Sequence, residues 1–389
     1  MTTEVGIARK QAILLVKETT RGTLKYPDTD DSAVVTIASG YGNMNQNPNF
    51  SNSNEIRNSR DVLTRFVDAR PAGKWDFSTY MRPSGVAGDI PQDSVLYECF
   101  FGVETITGGT SVAYTQALGK PSFSMFMKKD HTVFFAKGCT VSQLNPSVTN
   151  AGGVDQKWSG GLMWLGICGT DSLTAIAAQD ATTIEVADAK KYSVGAWIKN
   201  STKDDDNTGD GYKVTAVDVD ADELELDSGV DEAGGWEADD VIEPFLPDST
   251  EVGATLANRL TTVDFGADTG KKVQSANLTL NDPINYIEDE ISADGYPTSY
   301  LEDVRDLSGN VDMYFRQDDA KYFYEGFNDT KIDVSINFGD TAGSQAELNM
   351  PQTSIEVPTV STNAPAVNLS IGIMALGDDG EDSCSLEFT

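Results

Sequence analysis

One histidine, four cysteines and no long apolar run are what this 389-residue chain has least of. The single histidine, His131 in "KKDHTVFF", lies in no recognisable triad motif, so a Ser-His-Asp triad has little to be built from. GxSxG, GxGxxG, Walker A and HExxH do not occur. Cys99, Cys139, Cys168 and Cys384 are far apart, without CxxC or a Cys/His cluster. That argues against zinc and thioredoxin-like chemistry and leaves buried thiols acting as small hydrophobes. No stretch reaches the roughly 18 apolar residues that a membrane helix needs. The start, "MTTE", has no basic patch followed by an apolar segment, so synthesis in a cytoplasm without Sec export is expected. Positive charge is scarce as well: 28 Lys and Arg stand against 61 Asp and Glu, a net −33. Such a surface repels phosphate, which excludes ordinary nucleic-acid binding. Acidic excess also serves solubility and, in brine, hydration. Charge alone does not separate these uses.

"DDDNTGDG" (204–211) looks like a calcium loop but departs from the EF-hand pattern. Counting from Asp204, the fifth position is Thr208 and the twelfth is Thr215, where a bidentate Glu is needed. An exposed turn is expected there. No catalytic residue, cofactor or metal site is expected anywhere in the chain, and it does not read as an enzyme.

What the chain does have is alternation. Segments 74–82, 122–127, 132–136, 274–281, 311–316, 331–338 and 367–374 alternate apolar with polar or small residues, or run apolar briefly, between Gly, Pro, Asn and Asp turns. That is strand periodicity. "GDIPQDSVLYECFFG" reads as a short helix, with Pro91 early, Asp93 near the start and Gly102 just past the last apolar residue. Leu96, Cys99 and Phe100 would share the face that covers one sheet. A strand through 96–101 is the alternative. The expected fold is all-β with one flanking helix: a sandwich or barrel.

Composition shifts between 171 and 248, where 21 acids face 5 lysines and supply −16 of the −33. Short strands at 183–186, 196–199, 212–219 and 223–226 lie between polar turns, and Ile184, Val186, Val194, Trp197, Ile198, Val214, Val217, Leu224, Leu226, Trp236, Val241 and Ile242 would fill a small core. The stretch reads as an inserted β-barrel domain, external to the rest, between a first part (1–170) and a second part (249–389) of the main domain. Two polar runs, 39–60 and 289–305, read as loops reaching outward. Structureless loops of that length are usually functional or disordered.

The order of several phrases resembles the major tail tube proteins of long-tailed, siphovirus-like phages and related prokaryotic viruses. "GIARKQAILLVKETTRGTLKYP" is similar to that family's opening, with a "KETT-x-G-T" phrase before a Pro. "GKWDFSTYMRPSG" followed by "IPQDSVLYECFFG" resembles its strand, turn and helix. "VQSANLTLNDPINYIEDEI", "RDLSGNVDMYF", "INFG", "AELNMPQTSIEVP" and "VNLSIGIMAL" resemble its closing strands in order. The likeness covers about 1–170 and 249–389.

The resemblance implies a β-sandwich structural protein of the virion tail. Six copies would form a ring whose strands close one barrel around a channel, and stacked rings would conduct genomic DNA without binding it specifically. Tape measure, distal and terminator proteins would be its other partners, and no membrane is involved. On this reading the run 39–60 is the stacking loop, with Asn43, Asn45, Asn47, Asn49, Phe50, Asn54, Arg57 and Arg60 as its contact residues. Asp76 and Ser78 are candidates for the lumen face. A bulky external insertion would obstruct a sheath, so a non-contractile tail is expected. The competing readings are another tail component (distal, terminator or receptor-facing adhesin) and a β-rich hydrolase with an unrecognised site.

Overall fold

In "GKWDFSTY" (Gly73–Tyr80) Gly73, Trp75, Phe77 and Thr79 are buried, while Lys74, Asp76 and Tyr80 are exposed. A two-residue period sends the two sets to opposite faces of a sheet, and this division governs the larger part of the molecule. The computed structural model describes residues 10–389 apart from 28–33, 37, 57, 59, 63, 248–251, 292–294 and 364.

Gly73–Tyr80 pairs antiparallel with Asp155–Leu162, which pairs with the second half of the long strand Thr132–Val148. Ser275–Asn281, Asp306–Tyr314, Ala366–Leu376 and Thr359–Asn363 follow in turn. A second layer runs through Thr262–Phe265, Ile332–Thr341, Ser344–Ile355, Ser385–Phe388, Ser111–Gln116 and Gly102–Thr107. Ser344–Ile355 joins the two, pairing first with Ser385–Phe388 and then with Ala366–Leu376. Inward residues of both layers, among them Trp75, Trp158, Leu278, Val311, Ile336, Leu348, Ile371 and Phe388, form one core. The chain is all-β.

The helix expected after Pro91 is Ser94–Phe101, closed by Gly102 at φ +115. It does not merely cover a sheet. Every residue but Glu98 is buried, so the helix lies within the core. Its polar groups are matched: Tyr97 donates to Gln156 at 2.9 Å, Thr79 to Asp93 at 2.8 Å and Trp158 to Thr79 at 3.0 Å. A second helix, Lys321–Phe327, was not expected. "KYFYEGF" has no helical apolar period and contains a glycine. Its start is set by a preceding tight turn in which Arg316 N–H donates to Asp319 at 2.8 Å.

Thr132–Val148 changes sheets midway. Its first half pairs with Phe123–Lys129 and Trp164–Cys168, and Phe123–Lys129 also pairs with Gln11–Lys17. Both faces of this smaller sheet are apolar. Ile13, Leu15, Met125 and Met127 face the main core, while Leu14, Phe126, Val133, Phe135 and Cys168 face a second cluster. That cluster is completed from 171–244, where six strands run in the order Asp171–Ser172, Val241–Pro244, Trp197–Asn200, Tyr212–Asp218, Glu223–Leu226 and Thr183–Glu185. A bridge from Leu173 to Val186 joins the two outer strands. Within the unit Asp205 accepts from Tyr212 at 2.9 Å and Trp236 at 2.7 Å. Val194, expected in its core, is 53% exposed. Tyr26 stacks on Trp197 at 3.9 Å and donates to the Phe245 carbonyl at 2.8 Å, tying the unit to the N-terminal segment.

The shared cluster sets an expectation for truncation. Replacing 171–248 by a short Gly/Ser linker exposes Leu14, Phe126, Val133 and Phe135, each worth about 1.5–3 kcal/mol of burial. That variant should aggregate on size exclusion. The same deletion carrying Thr at all four positions should elute as a soluble species. Equal solubility of the two would show that the cluster does not bind the unit to the sheet.

Candidate assembly interface

Two surfaces stand apart from the core, a polar face and a projecting arm. The polar face is the outer side of the first layer. From strand to strand its cross-pairs are Asp76 with Ser159, Ser78 with Lys157 and Tyr80 with Asp155; Gln143 with Asn281 and Ser147 with Asn277; Asn277 with Asn310 and Ser275 with Asp312; and Asp312 with Ser370. Small polar side chains bond one another across the strands. Ser147 donates to Asn277 at 2.6 Å, and Asp312 accepts from Ser275 at 2.7 Å and Ser370 at 2.5 Å. The face therefore offers a carpet of small polar side chains with few lysines. Asp76 is exposed on it and Ser78 half-buried.

The run 39–60 is not a structureless loop. Asn43 and Asn45 belong to Asn43–Asn45, an edge strand of the polar sheet opposite Asp76 and Lys74. Gln46 pins the end of this strand to the body, donating to the carbonyls of Pro71 at 2.9 Å and Met163 at 3.0 Å and accepting from Leu165 N–H at 3.0 Å. Beyond Asn47 the chain projects as a hairpin of Asn49–Asn52 and Arg65–Ala69. Asn49 and Phe50 lie in its first strand, and Asn54 and Arg60 are exposed in the connection between the strands. Arg57 lies outside the described residues. The boundary at 60 cut the hairpin in two, which hid its pairing.

The arm is also less polar than its asparagines suggest. Phe50, Ile56, Val62, Phe66 and Val67 are 47%, 101%, 62%, 54% and 41% exposed. The Arg65 guanidinium lies 3.7 Å over the Phe50 ring. Four of the chain's ten arginines fall at 57, 60, 65 and 70. Exposed aromatics with arginine are the composition of protein interfaces, and this clustering was the signal available in the sequence. The run 289–305 likewise holds a strand, Ser299–Glu302, paired with Ile284–Ile287. The base of the arm meets the turn of this second hairpin: Arg70 N–H donates to Gly295 at 2.8 Å and Ala72 N–H to Glu288 at 2.6 Å.

The chemically capable groups lie elsewhere. His131 sits at a strand turn, 3.4 Å from Asp130. All four cysteines are buried and free, and burial pushes the Cys384 thiol up to about 12. Among the described residues no group of three His, Cys, Asp or Glu could hold a metal, and no helix is long and apolar enough to cross a membrane.

A broad polar sheet face and an arm with exposed apolar residues but no core of its own are features of a structural chain that works by contact. A family model described as phage tail tube protein matches residues 8–388, and the chain belongs to that family. It is a structural protein of the phage tail. No curated protein matches it.

An isolated two-stranded hairpin is marginal in water, and the arm's exposed apolar residues are candidates for contact with a partner surface. Phe50→Ser with Phe66→Ser should leave thermal unfolding within about 0.5 kcal/mol of the parent, because neither ring is in the core. Sedimentation should show the loss of higher assemblies. Unchanged assembly with both rings removed would take the arm out of the interface.

Proposed function

We propose that six copies form a ring, that rings stack through the arm hairpin, and that the polar sheet face lines the channel through which viral DNA passes. The observation that carries this reading is the polar sheet itself. Its outermost strands, Asn43–Asn45 and Thr359–Asn363, each pair on one side only among the described ladders. Open edges invite pairing with another chain, and closing them around a ring removes the edges altogether. The outward face of such a barrel wall would carry Asp76, Ser78 and the Asn, Ser and Asp ladder into the lumen. Asn47, Asn49, Phe50, Asn54, Arg57 and Arg60 would serve the ring-to-ring contact, while Asn43 and Asn45 belong to the edge.

Charge supports the same reading. Six chains of −33 carry about −200 per ring. A duplex bearing one charge per roughly 1.7 Å of axis is repelled by like charge and slides without adhering. The unit at 171–244 sits on the opposite side of the smaller sheet from the main core, which supports an external domain and a tail without a close-fitting sheath. Tape measure, distal and terminator proteins would meet the tube at its interior and ends.

Negative-stain electron microscopy of the purified chain tests the reading, with tubes of six-fold rings as the expected result. Single capping rings without polymer would point to a terminator or distal component instead. On assembled virions, Asp76→Lys should slow DNA ejection, more so at low salt where the Debye length grows to about 30 Å. Ejection kinetics indifferent to both changes would remove this face from the lumen.

A further inference from the structure

Lys120 and Asp282 meet in the interior, and both side chains are 1% exposed. Lys120 lies in the connection between Ser111–Gln116 and Phe123–Lys129, and Asp282 directly follows Ser275–Asn281. Lys120 Nζ contacts Asp282 Oδ2 and sits 5.2 Å from the Phe100 ring centre. Around them Arg305 Nε donates to the same Oδ2 at 2.6 Å. Arg305 also pairs with Glu381 and donates to the Ala117 carbonyl at 3.2 Å. Glu302 is held by the N–H groups of Gly119 and Lys120, which donate to its Oε1 at 3.1 and 3.0 Å.

Two atoms are left over. Asp282 Oδ1 and Glu302 Oε2 are both buried without a hydrogen-bond partner. A buried ion pair offsets its desolvation only when the remaining lone pairs are satisfied, so this pair is a poor salt bridge. The same geometry suits a different chemistry. Burial is the largest influence on the lysine and lowers its affinity for a proton, favouring the neutral amine, which is a nucleophile. Its electrophile is already in contact, so little entropy remains to be lost.

We propose that Lys120 and Asp282 join in an intramolecular isopeptide bond. Within the buried pair the Lys120 ammonium passes one proton to Asp282 Oδ1, and Nζ, now the amine, attacks Cγ of the neutral carboxyl. Arg305 Nε–H donates to Oδ2, where negative charge develops in the tetrahedral intermediate. Glu302 accepts the proton that the nitrogen sheds and returns it to Oδ1, which leaves as water. One C–N bond forms, one C–O bond breaks, and nothing is oxidised or reduced. The product replaces two buried charges by an amide whose oxygen still accepts from Arg305. It links positions 162 residues apart and fastens the connection beneath the helix to the polar sheet. The covalent ring encloses 171–248, so pulling on either layer cannot separate them.

Intact mass spectrometry of the denatured wild-type chain tests this. The expected mass is about 18 Da, one water, below the sequence value, with a branched peptide joining the Lys120 and Asp282 segments on fragmentation. Lys120→Arg should show the full mass. Glu302→Gln keeps the acceptor for both backbone N–H groups, so it should fold while forming the bond about 100-fold more slowly or worse. Asp282→Asn should lose ammonia instead, about 17 Da. A full-mass wild-type chain would overturn the proposal, leaving an ion pair only. So would a water loss that maps to a succinimide at an Asp-Gly step such as Asp210-Gly211 or Asp379-Gly380. Bond formation at an unchanged rate in Glu302→Gln would refute the proton relay.

Discussion

A buried carboxylate holds the bend on which the architecture turns. Glu18 accepts from Gly22 N–H at 2.7 Å, Ser122 at 2.6 Å, Ser124 at 3.0 Å and Gly138 N–H at 2.8 Å. A buried charge is tolerable only when it is fully hydrogen-bonded, and four donors meet that demand. Gly138 is where Thr132–Val148 leaves the smaller sheet for the polar one. Its φ is +63, and a Cβ there would lie 2.4 Å from Met163 Sδ. Only glycine suits both constraints. Before the bend both faces of the strand are apolar; after it one face is polar. The carboxylate thus marks the line between the part covered by 171–244 and the part whose outer face is free.

That line gives physical content to the "KETTRGT" phrase. Lys17 reaches the helix, donating to Glu98 at 2.9 Å. Glu18 holds the bend. Arg21 lies 3.9 Å over the Tyr300 ring, above the carbonyl of Lys120 that Tyr300 also binds. Gly22 takes φ +71 and turns its N–H back to Glu18. Four residues of this phrase therefore fasten the N-terminal strand to the helix, to the sheet junction and to the Lys120 site. The phrase was visible in the sequence. Its partners were not, because they lie about 80 to 280 positions away.

Legibility followed period and failed where period was absent. Gly73–Tyr80, Ser275–Asn281 and Glu223–Leu226 were readable because a half-buried strand must alternate. The helix was readable from Pro91 and Gly102, which act locally. The arm was not, because its apolar residues face no core and so follow no core period. Phe50 sits among asparagines in the run 39–60, and Phe66 lies among arginines beyond its boundary, so the two were not read as one hairpin. The second helix is short and capped by a tight turn, with no amphipathic stripe to announce it. The acidic stretch was legible as strands, but its dependence on Leu14, Phe126, Val133 and Phe135 was not. Those residues alternate with core residues that look the same, and sequence cannot say that both faces of one sheet are covered.

The arm's arginines make sense against the rest of the surface. A chain at −33 repels its own copies, and that repulsion is screened beyond about 8–10 Å at moderate salt. At contact range an apolar patch alone must still bring acidic surfaces together. Arg65 lies flat on Phe50, so its charge and its aromatic partner form one surface element. A guanidinium is weakly hydrated, meets carboxylates in a bidentate fork and stacks on rings. On the proposed reading, an arm carrying such elements would present, to a copy of the same acidic chain, a region whose charge and apolar area both favour approach. The arm's reach would then set where a copy binds, and the acidity that keeps the remaining surfaces apart would add to specificity.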